Sequence, residues 1–110
     1  MKRMKLWDEE IPQILEQSYP IVNTQSGPIK GINKQMGEEP NKGSVSVFYN
    51  IPYAAPPIGE LRFSKPKPFG NWSGTRDATQ YGPECMQAEV STFPKSEDCL
   101  QLNVFVPGVP

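Results

Sequence analysis

The sequence predicts a small, mostly β chain: a short antiparallel β-meander, irregular proline-rich segments, and one further strand over residues 100–106. Three observations predict it. Prolines number 13 among 110 residues, well above the usual share of ~5%. Lacking an N–H, proline favours extended segments and turns over long helices. The apolar runs are short and are closed off by Gly, Asn or Pro, as strands bounded by turns would be. Aromatic residues reach 10% and the net charge is only −1, neither of which suits a self-repelling solvated coil. Hydrophobic residues make up 36%, low for a self-contained core, so a disordered chain is the competing reading. The length admits one domain, or part of a larger one.

Residues 1–20 form an extension in which Asp8 can cap a short helix through Ser18. Ile11, Ile14 and Leu15 would share one side of it, with Pro12 in the first turn. Such a helix either binds a partner or docks loosely as a terminal turn. From residue 21 to residue 110 the chain reads as one unit. Ile21–Thr24, Gln25–Gly27 and Pro28–Ile32 look like strand, tight turn and strand. Asn33–Gly43 is polar, carries Gly37, Pro40 and Gly43, and is expected as a loop. Ser44–Tyr49 begins with the polar–apolar alternation of a half-buried strand and completes a three-stranded antiparallel meander. Pro52, Pro56 and Pro57 then exclude a central strand over Asn50–Gly59. Residues 60–84 continue as irregular chain, and Leu100–Val106 is the last strand, stopped by Pro107-Gly108.

Eleven lysines and arginines face 12 aspartates and glutamates with no basic stripe, so no nucleic-acid partner is expected. No apolar stretch approaches the ~18 residues of a membrane span, and none is expected. The basic start Met1-Lys2-Arg3-Met4-Lys5 turns acidic at Asp8-Glu9-Glu10 instead of running into the ~7–15 apolar residues of a secretory signal. No signal peptide is read, and localisation stays open. The sequence contains no histidine. That removes Ser-His and Cys-His pairs, and two cysteines without histidine make no four-ligand zinc site of the usual types. No catalytic, cofactor-binding or metal-ligating residue is named, and no cofactor is expected.

The run Phe48-Tyr49-Asn50-Ile51-Pro52-Tyr53-Ala54-Ala55-Pro56-Pro57-Ile58-Gly59-Glu60-Leu61-Arg62-Phe63 resembles the early signature of the type-B carboxylesterase/cholinesterase family. Trp72-Ser73-Gly74-Thr75-Arg76-Asp77-Ala78-Thr79 resembles a following stretch of that family. Glu97-Asp98-Cys99-Leu100-Gln101-Leu102-Asn103-Val104-Phe105-Val106-Pro107 resembles its second signature, and the order is the family's. The resemblance covers residues 21–110. It departs at Asn50, where the family usually has Gly; Asn is the next most tolerant residue for a left-handed backbone. It departs again at Gln101, where the family has a tyrosine able to bond the preceding acid, which leaves the partner of Asp98 open.

The resemblance implies an α/β fold, here the N-terminal part of an α/β-hydrolase. In that fold a large, mostly parallel sheet carries helices on both faces and is prefaced by a small antiparallel sheet. The meander would be the preface and residues 100–106 a first strand of the main sheet. The family's triad is Ser, Glu and His, with the Ser on a Gly-x-Ser-x-Gly elbow that exposes its hydroxyl and aims a backbone N–H at the oxyanion. Neither that elbow nor a His-Gly-Gly loop occurs here; the nearest string, Gly70-Asn71-Trp72-Ser73-Gly74, has the wrong spacing. In the family both elements lie beyond the position of Pro110. The chain is therefore expected to carry scaffold without catalyst, with a carboxylic ester as substrate only when the C-terminal remainder is present.

The same resemblance assigns structural roles. Cys85 and Cys99 fall where the family has its first disulfide. A bridge closing about 15 residues is worth roughly 3 kcal/mol; the alternative is two buried thiols in a reducing compartment. The enclosed loop holds Phe93 but no tryptophan for a quaternary ammonium, which points to a general carboxylesterase, not a choline-specific one. Arg62 and Glu97 match a structural ion pair, expected to be largely buried, where arginine's planar fork grips a carboxylate. The alternative is two surface charges worth under ~1 kcal/mol.

Asn71-Trp72-Ser73 fits the glycosylation sequon, which reads as an accident where no signal peptide is read. The prolines from Pro52 to Pro68, interleaved with Tyr53, Leu61 and Phe63, read as a packed irregular segment more than as a polyproline ligand. The leading function is an N-terminal fragment of a carboxylic-ester hydrolase, inactive alone. The alternative is a fragment of a non-catalytic interaction protein, since the family includes adhesion molecules that lost the triad, and a degenerate fragment is a third reading.

Overall fold

Gly31 is where the chain leaves one sheet for another. The computed structural model describes residues 18–37, 43–88 and 92–110, so the helix expected from Asp8 lies outside them but for Ser18. The strands are β1 (Ile21–Thr24), β2 (Gly27–Lys30), β3 (Ile32–Gln35), β4 (Ser44–Pro52), β5 (Arg76–Asp77) and β6 (Gln101–Pro107). They form two three-stranded sheets, ordered β1-β2-β5 and β3-β4-β6. Among the described residues the helical content is a 3-10 turn at Gly59–Leu61.

The β1–β2 hairpin is set by a threonine. Thr24 Oγ1 accepts the amides of Ser26 and Gly27, both at 3.1 Å, and donates to the Gly27 carbonyl at 2.6 Å. This hydroxyl-made turn fixes the antiparallel register of Thr24 with Gly27 and Ile21 with Lys30. Trp72 closes over it. The Trp72 amide donates to Ser26 O at 3.0 Å and its indole N–H to Pro28 O at 2.9 Å. A Cβ on Gly27 would lie 2.5 Å from the indole nitrogen, so the close approach requires glycine there. The far edge of β2 takes β5 in parallel, with Ile29 beside Arg76.

The expected three-stranded meander is corrected: its middle strand, Pro28–Ile32, is broken at Gly31, and β2 does not pair with β4. A Cβ at Gly31 would sit 2.5 Å from both the Val47 carbonyl oxygen and the Phe48 ring. At this joint the backbone lies directly against β4, and β3 continues alongside β4, not β2. Residues 33–35, expected as loop, are strand: Ile32 pairs with Val47 and Gln35 with Ser44. Their polar side chains are tolerated because this strand is half-buried at its first two positions and exposed at its last two. The chain is already tied in at Ser18, whose carbonyl accepts the Asn33 amide at 2.8 Å.

β4 also runs further than expected, through Pro52. It is the central strand of its sheet, but Pro52 is its last residue, where a missing N–H costs least. The next bond comes from the Tyr53 amide to Leu100 O at 3.1 Å. β6 pairs antiparallel with β4, from Val45 with Pro107 to Pro52 with Gln101, and the register shifts between Phe48 and Ile51. Asn50 lies in that bulge with φ 62°, the left-handed backbone its tolerance allows. Its amide is taken by Asn103 Oδ1 at 3.0 Å.

Ile29, Phe48 and Ala78 make the core, with Val22, Ile51, Trp72 and Val106 packed against it. Ala78 has no exposed surface and joins the two sheets. Its N–H donates to Lys30 O at 2.7 Å while its carbonyl accepts the Tyr49 amide at 2.8 Å. On the other face of β4, Tyr49 accepts a bond from Lys34 Nζ at 3.1 Å. Its ring lies 4.3 Å from that of Tyr81 and 6.4 Å from that of Phe105.

Candidate functional site

After β4 the chain loses regular structure, and the residues singled out in the sequence lie on this part. The Ala55 amide reaches Lys67 O at 2.8 Å, and the Arg62 amide closes the 3-10 turn on Gly59 O at 3.2 Å. Phe63 follows with φ 61° and 97% of its surface exposed. Opposite this turn, Cys85 and Cys99 are joined by a disulfide with an S–S distance of 2.10 Å and Cα atoms 5.1 Å apart. The loop they close is tied at its neck. The Glu84 amide donates to Pro94 O at 2.9 Å and the Ser96 amide to Glu84 O at 2.8 Å.

The closed loop presents Glu97 to Arg62. Arg62 Nε and Glu97 Oε1 are 2.8 Å apart, with the side chains 54% and 44% exposed. The pair forms, but the expectation that it is largely buried is corrected. Arg62 leaves a turn with no buried residue and begins a stretch, residues 62–71, that is exposed throughout. Nothing described there removes its guanidinium from water. Its Cζ lies 5.3 Å from the centroid of the Phe63 ring.

Asp98 finds the partner left open by the sequence. Gln101 Nε2 donates to Asp98 Oδ1 at 3.2 Å and to Asp98 O at 3.3 Å. An amide donor thus does the work of a phenolic one. Neighbouring Glu97 and Asp98 are engaged by different partners.

Arg76, which the sequence left without a role, was missed. Its guanidinium carbon lies 5.7 Å from the Phe69 ring centroid and 5.8 Å from that of Trp72. Its Nε and Nη2 donate to Asn50 O at 3.3 and 3.2 Å, locking the bulge of β4 to the Trp72 segment. The signal was an arginine following two aromatic residues on an otherwise polar stretch. Next to it, the Thr79 hydroxyl at 2.6 Å and amide at 3.0 Å both donate to Asp77 Oδ1. These two bonds, the hydroxyl's first, hold the Asp77 carboxyl below its usual range, helped by the charge of Lys30 and opposed by slight desolvation. Asn50 itself keeps a buried Oδ1 with no hydrogen-bond partner among the described residues.

A cleft of about 420 Å³ opens between the two parts, lined by Pro57, Arg62, Phe63, Met86 and Glu97. Apart from the ion pair its walls are apolar. They offer no hydroxyl, thiol or imidazole, and the one carboxylate, Glu97, is engaged by Arg62. Among the described residues no three His, Cys, Asp or Glu side chains come together, and no helix is long and apolar enough to cross a membrane.

Comparison with known proteins places these features. The carboxylesterase family matches residues 18–109. The chain is similar to cholinesterase of Mus musculus, 38% identical over 100 residues, which cover 79% of this chain and 16% of that protein. It is similar to neuroligin-2 of Homo sapiens, 34% identical over 113 residues, covering 84% of this chain and 13% of that protein. Among solved structures, a PNB esterase is 44% identical with a TM-score of 0.67, covering 84% of this chain and 18% of that one. The chain thus spans less than a fifth of the length of the relatives it matches. A match running from Ser18 almost to the last residue takes in both sheets, the disulfide loop and the ion pair together, and the chain belongs to the carboxylesterase family.

Proposed function

We propose that this chain is the N-terminal portion of a serine carboxylic-ester hydrolase and supplies scaffold, not catalyst. Residues 21–110 would open the type-B domain, with residues 1–20 as an extension. Strands β1, β2 and β5 would form the small preface to the main sheet, and β6, with β3 and β4 beside it, would open the main sheet itself. One observation carries the reading. The family matches residues 18–109, yet the sequence holds no histidine and no Gly-x-Ser-x-Gly, so on this reading a triad and oxyanion loop would be supplied from outside these residues. Exposed apolar side chains give support. Phe63, Met86, Leu102 and Phe105 are 97%, 63%, 43% and 58% exposed, as surfaces awaiting further chain would be.

Purified chain should show no turnover of a short acyl nitrophenyl ester above a heat-denatured control. Saturable hydrolysis that a serine-directed organophosphate abolishes would overturn the reading. The second reading, a fragment of a non-catalytic interaction protein, is kept alive by one observation. Cholinesterase and neuroligin-2 match comparable shares of this chain at 38% and 34% identity. The full transcript separates the two: an in-frame Gly-x-Ser-x-Gly assigns the hydrolase, and a replaced serine assigns the interaction protein.

A further inference from the structure

We propose that Asn71 is an acceptor for N-linked glycan, on a chain that matures in an oxidising secretory lumen. Asn71-Trp72-Ser73 is the one Asn-x-Ser/Thr string with a non-proline middle residue in the sequence. The fold splits its residues by side. Trp72 is held inward by its amide bond to Ser26 O at 3.0 Å and its indole bond to Pro28 O at 2.9 Å. Asn71 and Ser73 on either side of it are exposed. No hydrogen bond engages the Asn71 carboxamide among the described residues.

The space around the tripeptide is open as well. Gly70 and Gly74 bracket it with φ of 91° and 74°, and a carbon built on either would meet nothing within 4 Å. The second, independent observation is the Cys85–Cys99 disulfide. Disulfides form and persist in oxidising compartments, and in eukaryotic cells the same lumen hosts oligosaccharide transfer. The chemistry needs a lipid-diphosphate-linked oligosaccharide as donor. The Asn71 Nδ2 attacks the anomeric carbon, and an N–C bond forms as the glycosyl C–O bond to phosphate breaks. The lipid diphosphate leaves with the electron pair, and Nδ2 gives up one proton. Ser73 supplies the hydroxyl that makes the string an acceptor.

The full chain, expressed behind a secretory leader in eukaryotic cells, tests this. Peptide N-glycosidase should shift its gel mobility, and release in heavy-oxygen water should leave labelled aspartate at position 71 in the tryptic peptide. Asn71→Gln and Ser73→Ala should each lose the shift completely, whereas Ser73→Thr should keep it. The state of the cysteines is read in the same sample. A secreted, Cys85–Cys99-linked chain with unmodified Asn71 overturns the proposal. So does a shift that survives Ser73→Ala, and so does a chain that leaves the lumen with both thiols alkylatable.

Discussion

The strand part of the molecule and the loop part are held by different kinds of bond. In the strands, cohesion is repetitive: β4 is paired on both edges, and the Ile29–Phe48–Ala78 cluster adds a small apolar core. Between β4 and β6 the described chain is regular only at β5 and the 3-10 turn, and cohesion leans on single links such as the disulfide, the exposed ion pair, the Trp72 indole bond and the stacked arginine. A ladder shares a local loss among neighbouring bonds, while a single link has no substitute. Sensitivity to mutation in the strands should therefore gather at the joints, Gly31 and Ala78. In the loops it should gather at the links themselves.

The largest effect should come from the loop part. Replacing both Cys85 and Cys99 by serine should cost about 3 kcal/mol, read as a lower urea midpoint with a slope that is unchanged or steeper, because the unlinked unfolded chain is less compact. Amide protection should fall across residues 84–99 and hold in β3 and β4. Equal loss in β4 would merge the two parts and break the comparison. Gly31→Ala should follow at about 2 kcal/mol, because the new methyl would lie 2.5 Å from the Val47 oxygen, and a main-chain atom cannot step aside cheaply. Its loss of protection should reach both sheets.

Arg62→Ala should cost under about 1 kcal/mol and scarcely more than Lys65→Ala. A cost near 3–5 kcal/mol is what removing one partner of a buried pair demands, and would mean the pair is covered in solution. The smallest effect belongs to Asp77. Its carboxyl is depressed in the folded chain, so its contribution is present above about pH 4 and is lost as pH falls through the folded value. Asp77→Asn should lower the urea midpoint at pH 7, and the gap to the parent should close in acid; a gap that widens there contradicts the sign.

What the sequence disclosed and what it withheld follow the same division. Local chemistry was legible: the β1–β2 hairpin from its turn residues, the left-handed tolerance of Asn50, and the strand after Cys99. The candidate pairings came from the family resemblance, and the structure brings Cys85 to Cys99 and Arg62 to Glu97. Pairing between distant strands was not legible. Residues 33–35 look like loop by polarity, and only the edge of β4 makes them a strand. The burial of Arg62 was overestimated because a signature names a partner without saying what covers it. The place of Arg76 depends on β5 lying parallel to β2, which no run of residues announces.

The bulge at Asn50 keeps the strand in phase. Side chains alternate along a strand, so positions 48 and 51 would ordinarily face opposite sides. In β4 the extra residue restores the beat, and Phe48 and Ile51 both meet the same core. The downstream register with Leu102 and Gln101 is then correct for everything that follows. Inserting one more residue there would leave every existing side chain chemically intact and turn Ile51 to the wrong face. For this strand the number of residues is as much a part of the code as their identity.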